Sequence, residues 1–351
     1  MFLGELLRGE DAKYVRGNES LVAKGITADS RDTLPGTAFF CIRGMHHNGN
    51  DFARSALEKG AVAVVTEDET LAGELSVWLD QEGEKHSRPE AAVILTKDVR
   101  LLLAHASAAF FGRPAEQLTV IGVTGTKGKT TCTYVIKSIL ENAGRKVGLI
   151  GTNEVIIGRQ HLETVNTTPD AILLHGYFRR MVDEGLDTVV MEVSSQAIKL
   201  RRTDGILFDY AIFTNLSPDH VAPGEHKDFQ EYLECKRELF RHCKVGIVNL
   251  DDPYVERITE GRTCELDTYG FGKDAMLRAE NVTCTTVGGR LGVEFQVKGS
   301  MEFDVRLPMP GRFSVYNALA AVSLCKRFRV RESDVQRSML ATKVRAGWNV
   351  P

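Results

Sequence analysis

The chain has 351 residues, 43% hydrophobic and 26% charged, with 44 Lys and Arg against 47 Asp and Glu for a net charge of −3. That length allows two or three domains, and the composition excludes general disorder. The charge balance lacks the basic excess of a nucleic-acid binder, and no apolar run reaches the ~18 to 20 residues needed to cross a bilayer.

The start, MFLGELLRGEDAKYV, carries charges in its first turns and lacks the apolar core of a signal peptide. Seven cysteines (41, 132, 235, 243, 264, 284, 325) form no CxxC pair, so neither a disulfide framework nor a zinc site is expected. A cytoplasmic protein fits these features, with no membrane and no nucleic-acid partner.

The first segment, residues 1–112, alternates short β-type runs (Thr37–Ile42, Ala61–Val65, Ala91–Leu95) with helical stretches at Asp51–Lys59 and Val99–Phe111. It ends at Phe111-Gly112-Arg113-Pro114, where glycine and proline stop a helix. The second segment, residues 113–340, opens on the apolar run Leu118–Val123. Four similar runs follow at Lys146–Ile150, Thr188–Met191, Tyr210–Thr214 and Val245–Asn249, mostly separated by helix-length stretches. This pattern predicts an α/β fold with a doubly wound, mainly parallel sheet that binds ligands at the C-terminal strand ends. After about residue 265 three antiparallel strands are expected, Ala275–Val287, Arg290–Val297 and Glu302–Leu307, the first two joined through Gly288-Gly289. Helices at Ser314–Phe328 and Glu332–Ala341 complete the segment.

The sharpest motif is Gly122-Val-Thr-Gly125-Thr126-Lys127-Gly128-Lys129-Thr130-Thr131, between a buried-type strand and the helix Cys132–Ala143. Glycines let backbone amides wrap phosphates, and the helix start adds positive potential. Lys129 is placed to neutralise β- and γ-phosphate charge, and the Thr130 hydroxyl to ligate magnesium. The strict phosphate-loop pattern has glycine where Val123 stands, but strand, loop and helix fall in order. An ATP site is expected here; the competing reading is a glycine-rich turn that merely opens a helix.

Gly125–Thr131 resembles the GTxGKTT loop of the Mur ligases, ATP-dependent amide-bond synthetases of cell-wall building. Among them the chain is most similar to the MurE-type UDP-N-acetylmuramyl-tripeptide synthetases, with the likeness running from about Gly25 to Arg345. These add diaminopimelate or lysine to UDP-N-acetylmuramoyl-L-alanyl-D-glutamate.

The resemblance implies roles for residues that composition alone leaves open. Glu192, in Met191-Glu192-Val193-Ser194-Ser195, matches a magnesium ligand beside Thr130; by itself it is a glutamate at a strand end. His220, in Asn215-Leu-Ser-Pro-Asp219-His220, matches a ligand of a second magnesium, where a loop histidine is ordinarily just solvated. Lys236 reads from composition as a surface lysine, but it matches the family's carbamylated lysine, a carboxylate that helps hold the second ion. Thr167 and Thr168, in Asn166-Thr-Thr-Pro169, match contacts to the muramyl dipeptide, as do Ser194 and Arg202; a helix cap is the plainer reading of the threonines. Leu200 and Gln196 depart from the family's usual glutamine and histidine. Ser30, in Ala28-Asp29-Ser30-Arg31, matches a uridine-domain contact, with the Gly44–Gly49 loop near it. Asn317 matches an asparagine that approaches adenine.

The implied activity is ligation through an acyl phosphate in peptidoglycan synthesis, by a monomer acting on the UDP-dipeptide, a diamino acid and ATP with two magnesium ions. Family members continue into a C-terminal amino-acid-binding domain, so the chain reads as lacking it, with activity in doubt. Two alternatives stand: a non-catalytic remnant that binds nucleotide or UDP-muramyl substrate, and a folylpolyglutamate- or cyanophycin-type ligase.

Overall fold

The computed structural model describes residues 1–44, 47–85, 90–218 and 226–341. The chain divides into two compact units: residues 1–114 with 170–176 and 200–205, and residues 115–169, 177–199 and 206–351.

The smaller unit is built on five strands, β1 (Ala12–Arg16), β2 (Gly25–Thr27), β3 (Thr37–Phe40), β4 (Ala63–Thr66) and β5 (Ala92–Thr96). Their order is β1-β5-β4-β3-β2, parallel except for β1, which runs antiparallel along β5. The runs read from the sequence at residues 37–42, 61–65 and 91–95 become β3, β4 and β5. The short β1 and β2 have no matching expectation: β1 is only partly buried, and β2, although Ile26 and Thr27 are buried, is a three-residue run with no apolar pattern to read. The Asp51–Lys59 stretch divides into a 3₁₀ turn, Gly49–Phe52, and a helix, Ala53–Glu58. Phe39 and Phe40 point to opposite faces and are both fully buried, each adding about 1.5–3 kcal/mol.

The larger unit holds β6 (Thr119–Thr124), β7 (Val147–Ile150), β8 (Val155–Ile157), β9 (Gln160–Leu162), β10 (Thr188–Glu192), β11 (Phe208–Phe213), β12 (Cys243–Asn249), β13 (Glu265–Gly270), β14 (Leu277–Val287), β15 (Arg290–Gly299) and β16 (Phe303–Leu307). Their order is β16-β15-β14-β13-β12-β11-β6-β10-β7-β8-β9. From β14 to β7 neighbouring strands run parallel, and antiparallel hairpins extend both edges. The β14–β15 turn is Gly288-Gly289, with φ of 58° and 77°, the pair of left-handed residues a two-residue hairpin needs.

β13 falls where the sequence reading placed no strand. Its Glu-Leu-Asp-Thr-Tyr-Gly run looks polar, but Arg327 neutralises it, bonding both Asp267 oxygens at 2.7 and 2.9 Å and Glu265 at 3.2 Å. Beneath the sheet, the helices Lys129–Asn142 and Arg312–Arg327 share one apolar core with β6, β10, β11 and β12. Strand β6 lies between β10 and β11, so its C-terminal end is where chain connections diverge to either side.

Candidate active site

The loop after β6 is fastened to its neighbour strand before any ligand is considered. Thr126 N donates to the Asn215 carbonyl at 2.9 Å, and Lys127 N to Asn215 Oδ1 at 3.0 Å. In return the Asn215 amide and the Thr214 hydroxyl donate to the Lys127 carbonyl at 2.9 and 2.8 Å. This brace explains Gly125, whose φ is 149°: a Cβ there would lie 1.9 Å from Thr214 Oγ1. Gly128, at φ 88°, caps the helix Lys129–Asn142, and a Cβ on it would lie 2.4 Å from Asn317 Oδ1. Asn317 therefore sits against the loop, with Thr131 half-buried one turn into the helix. Asn215 and Thr214 were not singled out from sequence, although their place after a strand was the available signal.

Lys129 Nζ donates to the Gly125 and Thr126 carbonyls at 2.9 and 3.2 Å. Burial lowers its pKa, partly offset by Glu192. Glu192 ends β10, in register with Val123 of β6, and is only 1% exposed. Its Oε1 accepts from the Thr130 hydroxyl at 3.0 Å and from Thr152 N at 2.9 Å, while Thr152 Oγ1 lies 3.1 Å from Oε2. The plain reading of Glu192 as an exposed strand-end residue is thus set aside. Thr152, which the sequence reading missed, also stands 3.1 Å from Thr167 Oγ1.

Thr168 is fully buried and ties the next segment to the same strand end. Its hydroxyl donates to the Glu192 carbonyl at 2.8 Å and accepts from Ser194 N at 3.1 Å. The helix that follows, Ala171–Asp183, has Asp170 rather than a threonine bonding its first turn, at Leu173 N. Thr168 is a strand-to-loop tie, and the capping reading falls away.

Lys236 differs most from its composition-based reading. It is 1% exposed on the helix Phe229–Glu238, where the sequence alone suggested a surface lysine. Its Nζ donates to the Gly125 carbonyl at 3.1 Å and lies 4.5 Å from the centre of the Tyr232 ring. Two amines thus share one loop carbonyl. Burial, and then the neighbouring Lys129, push the Lys236 pKa well down. Tyr232, itself buried, lies 2.9 Å through its hydroxyl from Thr126 Oγ1.

Ser30 and Arg202 belong to the smaller unit. The Ser30 carbonyl accepts from Lys59, and the turn is held by an Asp29–Arg31 pair at 2.6 Å. Arg202 is lowered in pKa by burial, with Asp170 acting in the opposite sense. A cavity of about 410 Å³ in this unit is lined by Cys41, Arg43, Asn48, Asn50 and Glu67–Glu69, and Ser30 is not among its lining residues. Asp219 and His220 lie outside the described residues, as do Met45 and His46 of the Gly44–Gly49 loop and Lys343–Pro351.

The donor set fits a magnesium nucleotide. A glycine loop at a helix start suits phosphates, and Thr130 with Glu192 offers hard oxygen ligands. The direct hydrogen bonds to the buried Glu192 carboxylate come from neutral donors, Thr130 and Thr152, with Lys129 acting on it only through space. Among the described residues, no group of three or more His, Cys, Asp or Glu gathers, all seven cysteines are free, and no helix is long and apolar enough to cross a membrane.

Two family models match: the Mur ligase middle domain over residues 123–325, and the Mur ligase family catalytic domain over residues 22–111. UDP-N-acetylmuramoyl-L-alanyl-D-glutamate–2,6-diaminopimelate ligase of Clostridium perfringens is 36% identical over 327 residues, covering 92% of this chain and 63% of its own length. The Clostridium tetani protein of that name is 38% identical over 340 residues, covering 97% and 66%. The chain therefore spans about two thirds or less of these curated relatives. A solved structure of a ligase with the same name superposes with a TM-score of 0.80 at 22% identity, over 98% of this chain and 67% of that one. A MurF ligase from Thermotoga maritima in complex with ADP gives 0.57 at 17%, over 93% and 68%.

Proposed function

This chain belongs to the Mur ligase family, and on that footing we propose that it supplies the ATP and UDP-substrate sites of a ligase that joins an amino acid to UDP-N-acetylmuramoyl-L-alanyl-D-glutamate. The observation that carries this is the Thr130 hydroxyl bonded at 3.0 Å to the buried Glu192, directly behind a phosphate loop. The names of the relatives make 2,6-diaminopimelate the amino acid to test first.

In this reading the Gly125–Thr131 amides hold the ATP phosphates, and Lys129 turns from loop carbonyls to phosphate oxygens, regaining full charge as the anion arrives. Asn317, packed against Gly128, faces the nucleotide. Thr130 and Glu192 hold one magnesium ion, and His220 with carbamylated Lys236 a second. When bound, the metal offsets repulsion between triphosphate and an anionic nucleophile. Thr167 and Ser194 orient the UDP substrate, Thr168 holding the Ser194 backbone in place, with Ser30 and Arg202 as further contacts. The D-glutamyl γ-carboxylate oxygen attacks the γ-phosphorus, the bond to ADP breaks, and the amine then displaces phosphate from the acyl phosphate to form the amide.

Carbamylation suits Lys236 for an electrostatic reason. A buried amine favours its neutral form, whose lone pair attacks carbon dioxide, making an N–C bond and releasing one proton to water. The product puts an anion beside Lys129 where a positive charge on Lys236 is disfavoured, so an attractive pair replaces a repelled one.

Calorimetry with Mg-ATP and the UDP-dipeptide, followed by ADP release with diaminopimelate, tests this on the full chain. Binding of both substrates and amine-dependent ADP release are expected, each lost or strongly weakened for ATP in Lys129→Ala. A chain that binds neither substrate overturns the proposal, and binding without release restricts it to substrate capture.

A further inference from the structure

His226 takes no part in the reaction above, yet it is buried at 3% exposure between two elements that do. Its Nε2 lies 2.9 Å from Ser195 Oγ, and Ser195 opens the short helix Ser195–Lys199 three residues after Glu192. On its other side, Nδ1 stands 3.4 Å from Glu231 Oε2, an electrostatic contact that falls short of a full hydrogen bond. Glu231 is itself fixed by Lys199 Nζ at 2.8 Å and Lys227 N at 2.9 Å. The arrangement favours the tautomer with its proton on Nδ1, leaving Nε2 to accept from the serine.

The imidazole also packs on Tyr232, with ring centres 5.2 Å apart. Tyr232 and Lys236 are four residues apart on one helix and so share a face. The same phenol ring thus carries His226 and the Lys236 amine, while its hydroxyl reaches Thr126 of the loop. Displacing the histidine removes one of the contacts that hold the ring against which the amine sits.

We propose that His226 is a positioning residue for Lys236, holding Tyr232 and the Ser195 hydroxyl so that the amine is presented to carbon dioxide and its carbamate is retained. This rests on the reading of Lys236 as a carbamylated lysine. The attack forms one N–C bond and releases one proton to water, and His226 neither gives nor takes that proton.

The test is the carbamate ¹³C signal of the full chain titrated with [¹³C]bicarbonate at fixed pH, assigned by its loss in Lys236→Gln. In His226→Ala the bicarbonate needed for half-occupancy is expected to rise roughly 10- to 100-fold, the range seen for residues that orient a ligand. His226→Gln, whose amide can still meet Ser195, is expected to recover most of the shift. Should His226→Ala fail to fold, Ser195→Ala removes the same bond with a smaller cavity and shifts the curve in the same direction. A folded His226→Ala with lowered Tm but an unchanged curve would show a merely structural role and overturn the inference alone. Absence of any Lys236-dependent signal in the unaltered chain overturns the carbamate reading, and this inference with it.

Discussion

Strands β2, β4 and β5 of the smaller unit end in buried threonines, each followed two residues later by aspartate: Thr27-Ala-Asp29, Thr66-Glu-Asp68 and Thr96-Lys-Asp98. In each, the threonine hydroxyl accepts from the aspartate N–H, at 3.0, 3.1 and 3.4 Å. The aspartates bond onward to N–H groups of Arg31, Leu71 and Leu101, the last two in helix first turns. In the larger unit the corresponding region holds charge, with Glu192 and Lys236 each 1% exposed and Lys129 drawn onto loop carbonyls. The first device closes on itself through backbone N–H groups and partly exposed ion pairs such as Asp29–Arg31 and Asp98–Arg201, and needs nothing further. The second keeps charges out of water at a cost, which is what makes it the candidate site.

The strongest way to break this contrast is Gly125→Ala. The added methyl group would meet Thr214 Oγ1 at 1.9 Å on a backbone of φ 149°, so the brace between loop and Asn215 has to open. Backbone strain alone costs about 1–3 kcal/mol, and overpacking adds to it. Urea unfolding is expected to show that loss, and calorimetry no measurable Mg-ATP binding.

Lys236→Met separates cost from function. Removing a buried amine that lacks an anionic partner among the described residues is expected to raise stability near neutral pH by about 1–3 kcal/mol while abolishing the proposed amine-dependent ADP release. The sign with pH follows from the lowered folded-state pKa. Between that value and the ordinary one of about 10.4, the unfolded chain binds more protons, so the unaltered protein gains stability as pH rises. The advantage of the methionine variant should therefore shrink towards pH ~10 in urea midpoints taken without bicarbonate.

These two sites also show what a sequence can reveal. The loop from Gly125 to Thr131 was legible because glycine spacing is local, whereas Glu192 was legible only as a strand-end glutamate until the resemblance gave it a role. Lys236 was legible only by resemblance, since its burial depends on Tyr232 and on a loop carbonyl more than a hundred positions away. Thr152 and β13 carried no signal: a lone threonine after a strand is common, and β13 reads as polar until Arg327 arrives from a distant helix.

Thr66→Val probes the self-satisfied side of the comparison. The hydroxyl is fully buried, donates to Asn50 Oδ1 at 2.9 Å and accepts from Asp68 N at 3.1 Å. Valine keeps the shape but leaves both partners unmatched, for a loss of about 1–3 kcal/mol in urea unfolding. Mg-ATP affinity should stay unchanged, because none of the loop's bonds involves this residue. A fall in ATP affinity would blur the distinction drawn between the two sheets.

The smallest effect tests the rim of the charged region. Lys199 and the Lys227 amide hold the Glu231 carboxyl at about 2, below its ordinary 4.5. A depressed carboxylate pKa stabilises the fold above the ordinary value, and that contribution is lost as pH falls towards the folded one. Both partners are partly exposed, at 33% and 24%, so solvent screening limits the pair to a few tenths of a kcal/mol. Lys199→Met should make the fall in stability between pH 4.5 and 2 shallower, and added salt should flatten the unaltered protein's curve in the same way. If Lys199→Met also weakened carbamate retention at Lys236, the rim would have to be counted with the buried charges, because Glu231 is the residue that His226 faces.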